Sequence, residues 1–313
     1  FTGAPIPEGA DAIVIQEDTE KENGLVVVKE APKAGKWIRP RGLDFAEGDV
    51  LLKAGTVLSA RDLGLAAAMN APWLCVRRRP RVAIISTGNE VVMPGEPMGE
   101  DQIVSSNGVA LAAYVRVLGG EPINLGIAPD RPEALLAMIE GARGADLLVT
   151  SGGASVGDYD LVRQALGATG FDLGFYKVAM RPGKPLIFGR LSGVPVLGLP
   201  GNPVSAGVCA VVYLKPLMAK MLGMAAAEAA AEPSALLGGD LPANDLRQDY
   251  LRARLSRNQA GEAVATTFTR QDSALMANLA QADCLVIRPP HAPPARKGER
   301  ARIVILREGL VTL

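Results

Sequence analysis

The chain of 313 residues carries 33 basic and 33 acidic side chains, so its formal net charge at pH 7 is zero. Balanced charge argues against a broad nucleic-acid surface and against a polybasic membrane anchor. Glycine (35) and proline (23) are abundant, whereas aromatic residues make up 4% of the chain, which favours many tight turns over a β-sandwich packed on aromatic side chains. At ~150 residues per domain, the length predicts two or more domains.

The rarest side chains exclude whole classes of catalytic site. His291 is the one histidine of the chain, so a zinc site with two histidine ligands is excluded, and a serine triad would depend on a residue of a proline-rich loop. The three cysteines, Cys75, Cys209 and Cys284, have neither metal-ligand spacing nor a disulfide pattern, which fits a reducing cytoplasm. No apolar run approaches the ~18 residues needed to span a bilayer, so we expect a cytoplasmic protein without membrane association.

The first eighty residues combine short strand-like runs with turn residues and one helix. Strands are predicted at 12–15, 25–29 and 74–76, and a helix over 59–69 with Ser59 as its N-cap. The basic segment 77–81 is interpreted as a solvated hinge, because no aromatic residues are interleaved with its arginines. We therefore expect a partial N-terminal β-rich domain (1–45) and a helical connecting domain (46–80).

From residue 81 to residue 223 the pattern changes to alternating strands and helices. The apolar run 82–85 is continuous, as expected of a strand buried on both faces. Further strands are predicted at 123–127, 147–149, 175–178, 186–188 and 195–199. Helices are predicted at 106–118, 130–140, 158–166 and 203–222, the second of them with Asp130 as N-cap. This alternation predicts an α/β fold with a central, doubly wound and mostly parallel sheet.

An alanine-rich linker after residue 223 leads into a region of different character. Strands are predicted there at 250–255, 263–268, 284–288 and 301–306, with one helix over 273–279. The pattern indicates a small β-rich, barrel-like domain (224–313). The predicted architecture is a central α/β domain with smaller β-rich domains on either side.

Polar and glycine-rich loops follow the predicted strands of the central sheet. The loops comprise residues 86–90, 128–130, 150–160, 181–185 and 199–205. Ligands of an open parallel sheet bind at the carboxyl ends of its strands, so these loops form the candidate site. Any one of them could serve only as a turn or a helix cap, but five at one sheet edge indicate a ligand site.

The chemistry of these loops predicts an anionic ligand. Gly152, Gly153 and Gly157 allow backbone N–H groups to approach an oxyanion closely. Cationic donors stand nearby in the sequence, namely Lys177, Arg181 and Lys184. Carboxylates are also present, namely Glu90, Asp130, Asp158 and Asp160. They would repel a phosphate unless a cation such as Mg²⁺ lies between them. The pattern indicates metal-assisted phosphoryl chemistry without a P-loop or a GxGxxG fingerprint.

Together, the loop sequences resemble those of the molybdopterin molybdenumtransferase family, whose eukaryotic relative is the gephyrin E domain. The resemblance rests on residues 86–90, 107–108, 151–160, 181–185 and 199–205, and on 1–11 and 39–44 near the start. It implies transfer of molybdenum from molybdate to adenylylated molybdopterin, with release of AMP and a requirement for Mg²⁺. It also implies a homodimer, and roughly a hundred residues preceding the matched segment in the family.

The resemblance further implies roles for individual residues. Glu90, Asp130, Asp160 and Lys177 are expected to be catalytic, the three carboxylates as Mg²⁺ ligands. Residues implied in substrate binding are Thr2, Asp44, Ser86, Thr87, Gly88, Ser151, Gly152, Gly153, Ser155, Gly157, Arg181, Lys184, Pro200, Asn202, Pro203 and Ser205. Thr2 and Asp44 match positions that the neighbouring domain contributes to the site. Arg181 stands where the family is expected to have lysine, so its charge is kept but the geometry of the donor changes.

Two alternative functions stay open at this point. Proteins that share the central fold adenylylate molybdopterin with ATP, but their Ser-Gly-Gly loop typically continues with Thr-Gly, whereas residues 154–157 here read Ala-Ser-Val-Gly. A gephyrin-like scaffold that binds partner peptides would need a partner surface in the C-terminal region. The full set of charged loops favours the transferase over both alternatives.

Overall fold

Short elements joined by turns make up the first of two units into which the chain divides, Phe1–Lys53. The structure is a computed structural model that describes residues 2–153, 170–225 and 233–307. A 3-10 helix (Gln16–Asp18) precedes an antiparallel hairpin of strands β1 (Thr19–Glu22) and β2 (Leu25–Val28). The strand predicted near residue 25 is therefore present. Residues 12–15 form no strand, although Ile13 N donates a hydrogen bond to Lys36 O at 3.1 Å.

The second unit, Ala54–Leu313, begins with helix α1 (Ala60–Ala68). Ser59 caps this helix as predicted: Ser59 N donates to Asp62 Oδ2 at 2.7 Å, and Ser59 Oγ accepts from Asp62 N at 3.4 Å. The hydrogen bonds from the Ser59 backbone and side chain lower the pKa of Asp62. Residues 74–76 form no strand, so that prediction is wrong.

The basic segment 77–81 is tied to the sheet rather than free in solvent. Arg78 grips the carboxylate of Asp146 with two hydrogen bonds of 2.8 and 2.7 Å, and Arg81 N donates to the same carboxylate at 2.7 Å. A bidentate arginine–carboxylate pair of this kind fixes geometry as well as charge. The segment is thus anchored at Arg78 and Arg81, although its arginines are exposed to solvent as expected, and its role as a hinge stays a prediction.

A six-stranded sheet forms the centre of the second unit, in the order β6-β3-β7-β11-β10-β8. The strands between residues 81 and 199 are β3 (Arg81–Thr87), β4 (Val91–Val92), β5 (Ile103–Val104), β6 (Glu121–Ala128), β7 (Leu147–Ser151), β8 (Phe171–Tyr176), β9 (Met180–Arg181), β10 (Ile187–Leu191) and β11 (Val194–Leu199). Strands β6, β3, β7 and β11 are parallel, whereas β10 is antiparallel to both β11 and β8. The prediction of a mostly parallel sheet is confirmed.

Helices cover the sheet on both faces, as the continuous apolar strand β3 predicts. The helices that the structure describes around this sheet are α2 (Asn107–Val117), α3 (Pro132–Glu140) and α4 (Pro203–Met221). Val82 and Ile84 pack in one cluster with residues of α2 and α4, whereas Ala83 and Ile85 pack in a second cluster with residues of α3. The N-cap of α3 is Arg131, with Pro132 in the first turn, so the prediction of Asp130 as cap is wrong.

Helix α4 is apolar because it packs against the sheet. It is long and apolar enough to cross a membrane by length and composition, with a mean hydropathy of 1.3 over its best 18-residue window, half of which is buried. Val204, Val208 and Leu214 belong to the main core cluster, which accounts for this composition. Its middle turn, Ala210–Leu214, is a π-helical segment.

A second sheet closes into a small barrel after residue 233. Its elements are β12 (Ser234–Leu237), β13 (Gln248–Arg257), β14 (Ala263–Thr267), helix α5 (Met276–Gln281), β15 (Cys284–Arg288) and β16 (Arg300–Ile305). The order is β14-β12-β16-β15-β13, and β14 also pairs with β13, which closes the ring. Strand β9 joins this sheet by pairing with the start of β13, so the barrel and the central sheet share one chain segment.

The barrel-like domain is confirmed, but strands β9 and β12 were not predicted. Cys209 and Cys284 are buried as expected, and burial raises the pKa of each thiol to about 12. Cys75 is exposed. The division into four domains at residues 45, 80 and 223 stays a prediction, because the structure itself separates only the units at Lys53 and Ala54.

Candidate functional site

A cavity of about 440 Å³ lies at the carboxyl ends of the four parallel strands β6, β3, β7 and β11. We call it the polar cavity. Eleven of the residues predicted for the site line it, namely Ser86, Thr87, Gly88, Glu90, Asp130, Ser151, Gly152, Gly153, Pro200, Asn202 and Pro203. They converge because each loop follows directly on a parallel strand, and these strands end at the same edge.

Thr87 and Gly152 form the closest approach between two of these loops. Gly152 has a φ of +93°, and a Cβ at this position would lie 2.5 Å from Thr87 O and 2.8 Å from Thr87 Oγ1. A larger residue is therefore excluded on both conformational and steric grounds. Thr87 Oγ1 is buried and has no hydrogen-bond partner among the described residues. A buried hydroxyl in this state provides a donor for a ligand.

Asn107, at the start of helix α2, ties two of the loops together. Its Nδ2 donates to Ser151 Oγ at 2.8 Å and to Gly201 O at 2.6 Å. Ser151 Oγ in turn donates to Pro200 O at 3.3 Å. Asn107 also lines the polar cavity and was absent from the predicted site residues. It lies in segment 107–108, which contributes to the family resemblance, and could have been identified on that ground.

Glu90 and Asp130 bring two carboxylates to the polar cavity. Asp130 Oδ2 accepts from Asn89 N at 3.2 Å, and Asp130 N donates to Asn89 Oδ1 at 3.1 Å. These reciprocal bonds hold the loop after β3 against the loop after β6. Gly88 has a φ of +141°, and a Cβ there would lie 2.8 Å from the Glu90 carboxylate. The bonds with Asn89 thus position Asp130, and glycine at position 88 leaves room for the Glu90 carboxylate.

The donors of the polar cavity fit a hard divalent cation. Carboxylate and hydroxyl oxygens are the ligands that Mg²⁺ prefers, and the cavity supplies both from Glu90, Asp130 and Thr87. Within the described ranges, no group of three or more His, Cys, Asp or Glu residues converges. Asp160, the third expected ligand, lies outside the described residues, as do Ser155, Gly157 and Asp158.

Three further predicted site residues are Ser205, Thr2 and Asp44. Ser205 is buried in helix α4 at 5% exposure, where it is part of the core rather than of the cavity lining. Thr2 and Asp44 belong to the first unit, where both are exposed. Their expected part in substrate binding stays a prediction.

Lys177 and Lys184 border a second cavity of about 520 Å³, which we call the basic cavity. Its other lining residues are Val178, Ala179, Asp245, Leu246 and Arg247. The loop that carries the lysines folds back on itself, because Lys177 N donates to Leu186 O and Val178 N to Lys184 O, both at 3.0 Å. Pro185, the next residue, lines the polar cavity. The two cavities are therefore neighbours along one chain segment.

Arg181 lies on the same loop but binds protein carboxylates. Its Nε donates to Asp249 Oδ1 at 2.8 Å, its Nη2 makes a short bond to Asp249 Oδ2, and its Nη1 donates to Asp245 Oδ2 at 3.1 Å. The hydrogen bond to Asp249 raises the pKa of Arg181. Arg181 therefore binds the carboxylate of Asp249 with the two parallel contacts that were expected for a bound oxyanion. It lines neither cavity. Its role toward substrate stays a prediction.

Arg252 in strand β13 is a buried cation that was not among the predicted site residues. Its side chain is fully buried, and Nε and Nη1 have no hydrogen-bond partner among the described residues. Its Nη2 donates to Asp272 O at 2.9 Å. The next residue, Ser273, accepts from Asn202 Nδ2 of the polar cavity at 2.9 Å. Burial lowers the pKa of Arg252. Its position inside the strand predicted at 250–255 could have indicated a buried arginine.

Family comparisons agree with this architecture along nearly the whole chain. Residues 83–220 match the family described as "Probable molybdopterin binding domain". Residues 1–70 match "MoeA N-terminal region (domain I and II)", and residues 234–306 match "MoeA C-terminal region (domain IV)". The three ranges follow one another in the order expected from the resemblance of the loop sequences.

Curated relatives that match the chain carry the name molybdopterin molybdenumtransferase. The protein from Haemophilus influenzae is 34% identical over 305 residues, which cover 97% of this chain and 75% of the relative. The protein from Nostoc is 44% identical over 229 residues, 72% of this chain and 52% of the relative. The match therefore spans about half the length of the Nostoc protein and three quarters of the Haemophilus protein.

Solved structures share the same fold. The crystal structure of the molybdopterin biosynthesis MoeA protein from Pyrococcus horikoshii has a TM-score of 0.80 and 31% identity, covering 97% of this chain and 74% of that chain. A molybdenum cofactor biosynthesis protein from Pyrococcus furiosus has a TM-score of 0.64 and 26% identity, with coverage of 84% and 82%. The resemblance of the loops is confirmed by these matches in sequence and fold, and the chain belongs to the molybdopterin molybdenumtransferase (MoeA) family.

Proposed function

We propose that this chain carries the catalytic site of a molybdopterin molybdenumtransferase, which transfers molybdenum from molybdate to adenylylated molybdopterin and releases AMP. The observation that carries the proposal is the polar cavity, where hydroxyl groups and glycine backbone lie beside the carboxylates of Glu90 and Asp130. Oxyanion donors and carboxylates in one cavity suit a phosphoanhydride held together with a divalent cation. The names of the curated relatives support the same activity.

The floor of the polar cavity is proposed to hold the phosphate groups of the substrate. Thr87 Oγ1, buried and without a partner among the described residues, would donate to a phosphate oxygen. Gly152 and Gly153 allow that oxygen to come close to the backbone, and the positive φ of both residues suits an anion-binding loop. Ser151 is held in place by Asn107 and Pro200, so its orientation is set before the substrate binds.

Glu90 and Asp130 are proposed to hold Mg²⁺, with Asp160 as a third ligand. When bound, Mg²⁺ would neutralise the phosphoanhydride and favour departure of AMP. The contribution of the protein is to present two carboxylates that are held by the Gly88 turn and by the reciprocal bonds between Asn89 and Asp130. Without a cation these carboxylates would repel the substrate phosphates, which predicts a strict metal requirement.

Cationic donors are proposed to bind molybdate. Lys177 and Lys184 border the basic cavity, and Arg252 keeps two buried nitrogens without partners in the described part of the chain. A buried guanidinium that is only partly bonded is costly, but Nε and Nη1 lie on either side of Cδ and cannot grip one oxyanion in parallel, and Arg252 lines neither cavity. The cations proposed to bind molybdate are therefore Lys177 and Lys184, and Arg252 is proposed to have a structural role.

A homodimer with shared sites is also proposed, located in the cytoplasm. Thr2 and Asp44 of one subunit would complete the site of the other. To test this, inactive Asp160→Ala and Asp44→Ala subunits are mixed under conditions that allow exchange. Shared sites place both defects in one site of the mixed dimer and leave the other intact, so up to about half of a dimer's activity returns. No rescue, with heterodimers shown to form, would place each site within one chain.

The function itself is tested by the release of AMP. The protein is incubated with adenylylated molybdopterin, and AMP is measured with and without molybdate and Mg²⁺. We expect AMP release to require both. Consumption of ATP with formation of adenylylated molybdopterin would indicate an adenylyltransferase instead. Absence of both activities, with binding of partner peptides, would indicate a scaffold protein.

A further inference from the structure

Three apolar side chains form one wall of the polar cavity. They are Val91 of β4 and Ile103 and Val104 of β5, and we call them the apolar lip. Ile103 is 59% exposed and Val104 is 48% exposed, so a large part of their surface is available to a ligand. The hydroxyl, glycine and carboxylate groups described above line the same cavity. The cavity therefore offers both polar and apolar groups to a ligand.

The apolar lip is held rigidly by its backbone. Ile103 N donates to Glu90 O at 2.7 Å, and Ser105 N donates to Val92 O at 2.8 Å. The connecting loop is closed by Met93 N donating to Glu96 Oε2 at 2.8 Å and Gly99 N to Gln102 Oε1 at 2.9 Å. All three lip side chains are β-branched and so have restricted χ1 angles. The lip is thus a preformed surface, which binds at a lower entropic cost than a mobile one.

The lip lies next to the proposed phosphate and metal groups along the chain. Thr87 and Glu90 come directly before Val91, and Ser105 comes directly after Val104. Three residues separate Thr87 from Val91, so their Cα atoms are at most about 14 Å apart. The group attached to a phosphate at Thr87 would therefore have the lip within its reach.

We propose that the apolar lip is the subsite for a planar fused heterocycle of the substrate. The inference rests on the proposed function, because adenylylated molybdopterin carries two such ring systems, adenine and pterin. Both rings have apolar faces and polar edges, so a ring that lies against Val91, Ile103 and Val104 would bury its face. Apolar contact of this kind supplies affinity, while the polar groups of the cavity fix the orientation of the ligand.

The proposal is tested by calorimetric titration of the 313-residue chain with ring-bearing and ring-free probes. The probes are AMP, 6-hydroxymethylpterin and ribose 5-phosphate. The variant is Ile103→Thr/Val104→Thr, which keeps β-branching at both positions, makes the lip polar and shortens residue 103 by one methyl group. We expect at least one ring-bearing probe to bind about tenfold more weakly, with ribose 5-phosphate unchanged. Loss with AMP alone would assign adenine to the lip, and loss with the pterin alone would assign the pterin.

Val117→Thr is the matched control, because Val117 is 86% exposed on helix α2 and lies outside the cavity lining. Unchanged affinity for both ring-bearing probes, or an equal loss for AMP and ribose 5-phosphate, would overturn the proposal. Failure of the proposed function is a separate result. A protein that binds AMP through the lip but releases no AMP from adenylylated molybdopterin would contradict the transferase and support the lip.

Discussion

The polar cavity and the basic cavity lie along the same edge of the central sheet, yet their charged groups are held in different ways. In the polar cavity, Glu90 and Asp130 are positioned by backbone turns and by the amide of Asn89. Beside the basic cavity, Arg181 is positioned by two carboxylates of the barrel. The hydrogen bonds to Asp130 described above come from Asn89, whereas Arg181 is bound by carboxylates of opposite charge.

This difference follows from what lies next to each loop. The loops after β3, β6, β7 and β11 face one another across the ends of parallel strands. The loop after β8 reaches beyond the sheet, where its strand β9 pairs with β13 and aligns Arg181 with Asp249. Loops at one sheet edge therefore need not share one site, because a neighbouring domain can capture a charged residue of one of them.

The largest expected effect tests the carboxylates of the polar cavity. Glu90→Ala should lower Mg²⁺-dependent AMP release by on the order of 10²-fold or more, because transition-state charge loses its stabilisation. Glu90 is exposed, so the free energy of unfolding should change by only ~0.5 kcal/mol. The same assay on Glu100→Ala, an exposed acid outside the cavity lining, is the control. Near-normal turnover of the Glu90 variant would exclude it as a metal ligand.

The second prediction concerns buried Arg252. Arg252→Met should leave molybdate binding unchanged, because Arg252 is fully buried and lines neither cavity. Its free energy of unfolding should stay the same or rise, because an apolar side chain replaces a partly bonded charge. Titration with molybdate and urea unfolding measure the two effects. Lost molybdate binding at unchanged stability would contradict the structural role and place Arg252 in the site.

A third prediction separates the cations of the loop after β8. Arg181→Ala should lower the free energy of unfolding by about 1–3 kcal/mol, since it leaves the Asp249 side chain, 7% exposed, without its ion-pair partner. Arg181→Lys should restore only part of this loss, because lysine cannot make the bidentate contact.

Lys177→Ala is the companion variant for that test. It should weaken molybdate binding with little change in unfolding, because its side chain borders the basic cavity. If Arg181→Ala instead abolished molybdate binding at unchanged stability, the carboxylate contacts would be secondary and Arg181 would belong to the site.

The smallest expected effect concerns the opposite edge of the sheet. The hydrogen bonds from Arg78 lower the pKa of Asp146, so the ionised carboxylate stabilises the folded state. This stabilisation is complete above the unfolded pKa of about 3.9 and is lost as the pH falls through the lower folded value. Urea unfolding should therefore show a stability difference between wild type and Asp146→Asn at pH 6 that shrinks below about pH 4. AMP release should be unchanged in this variant.

Much of the fold could be predicted from local patterns. The continuous apolar run of β3 predicted burial on two faces, and alternating strands and helices predicted the doubly wound sheet. Ser59 followed by Asp62 marked the start of α1. Strand β9, with two residues, was not predictable, because it forms only through pairing with β13. The N-cap at Arg131 was missed because Asp130 is a common capping residue that here bonds with Asn89 instead.

By itself, the sequence determined which loops would meet at the polar cavity, since residues that follow parallel strands share one edge whatever the rest of the chain does. The need for glycine at position 152 depended on the tertiary structure, which brings Thr87 against it. Only the tertiary structure decided which partners the cationic side chains bind. Arg181 meets Asp249 across 68 residues, and Arg252 is enclosed by segments distant in the chain. The sequence shows which side chains are charged, but the burial of these side chains and their partners depend on long-range packing.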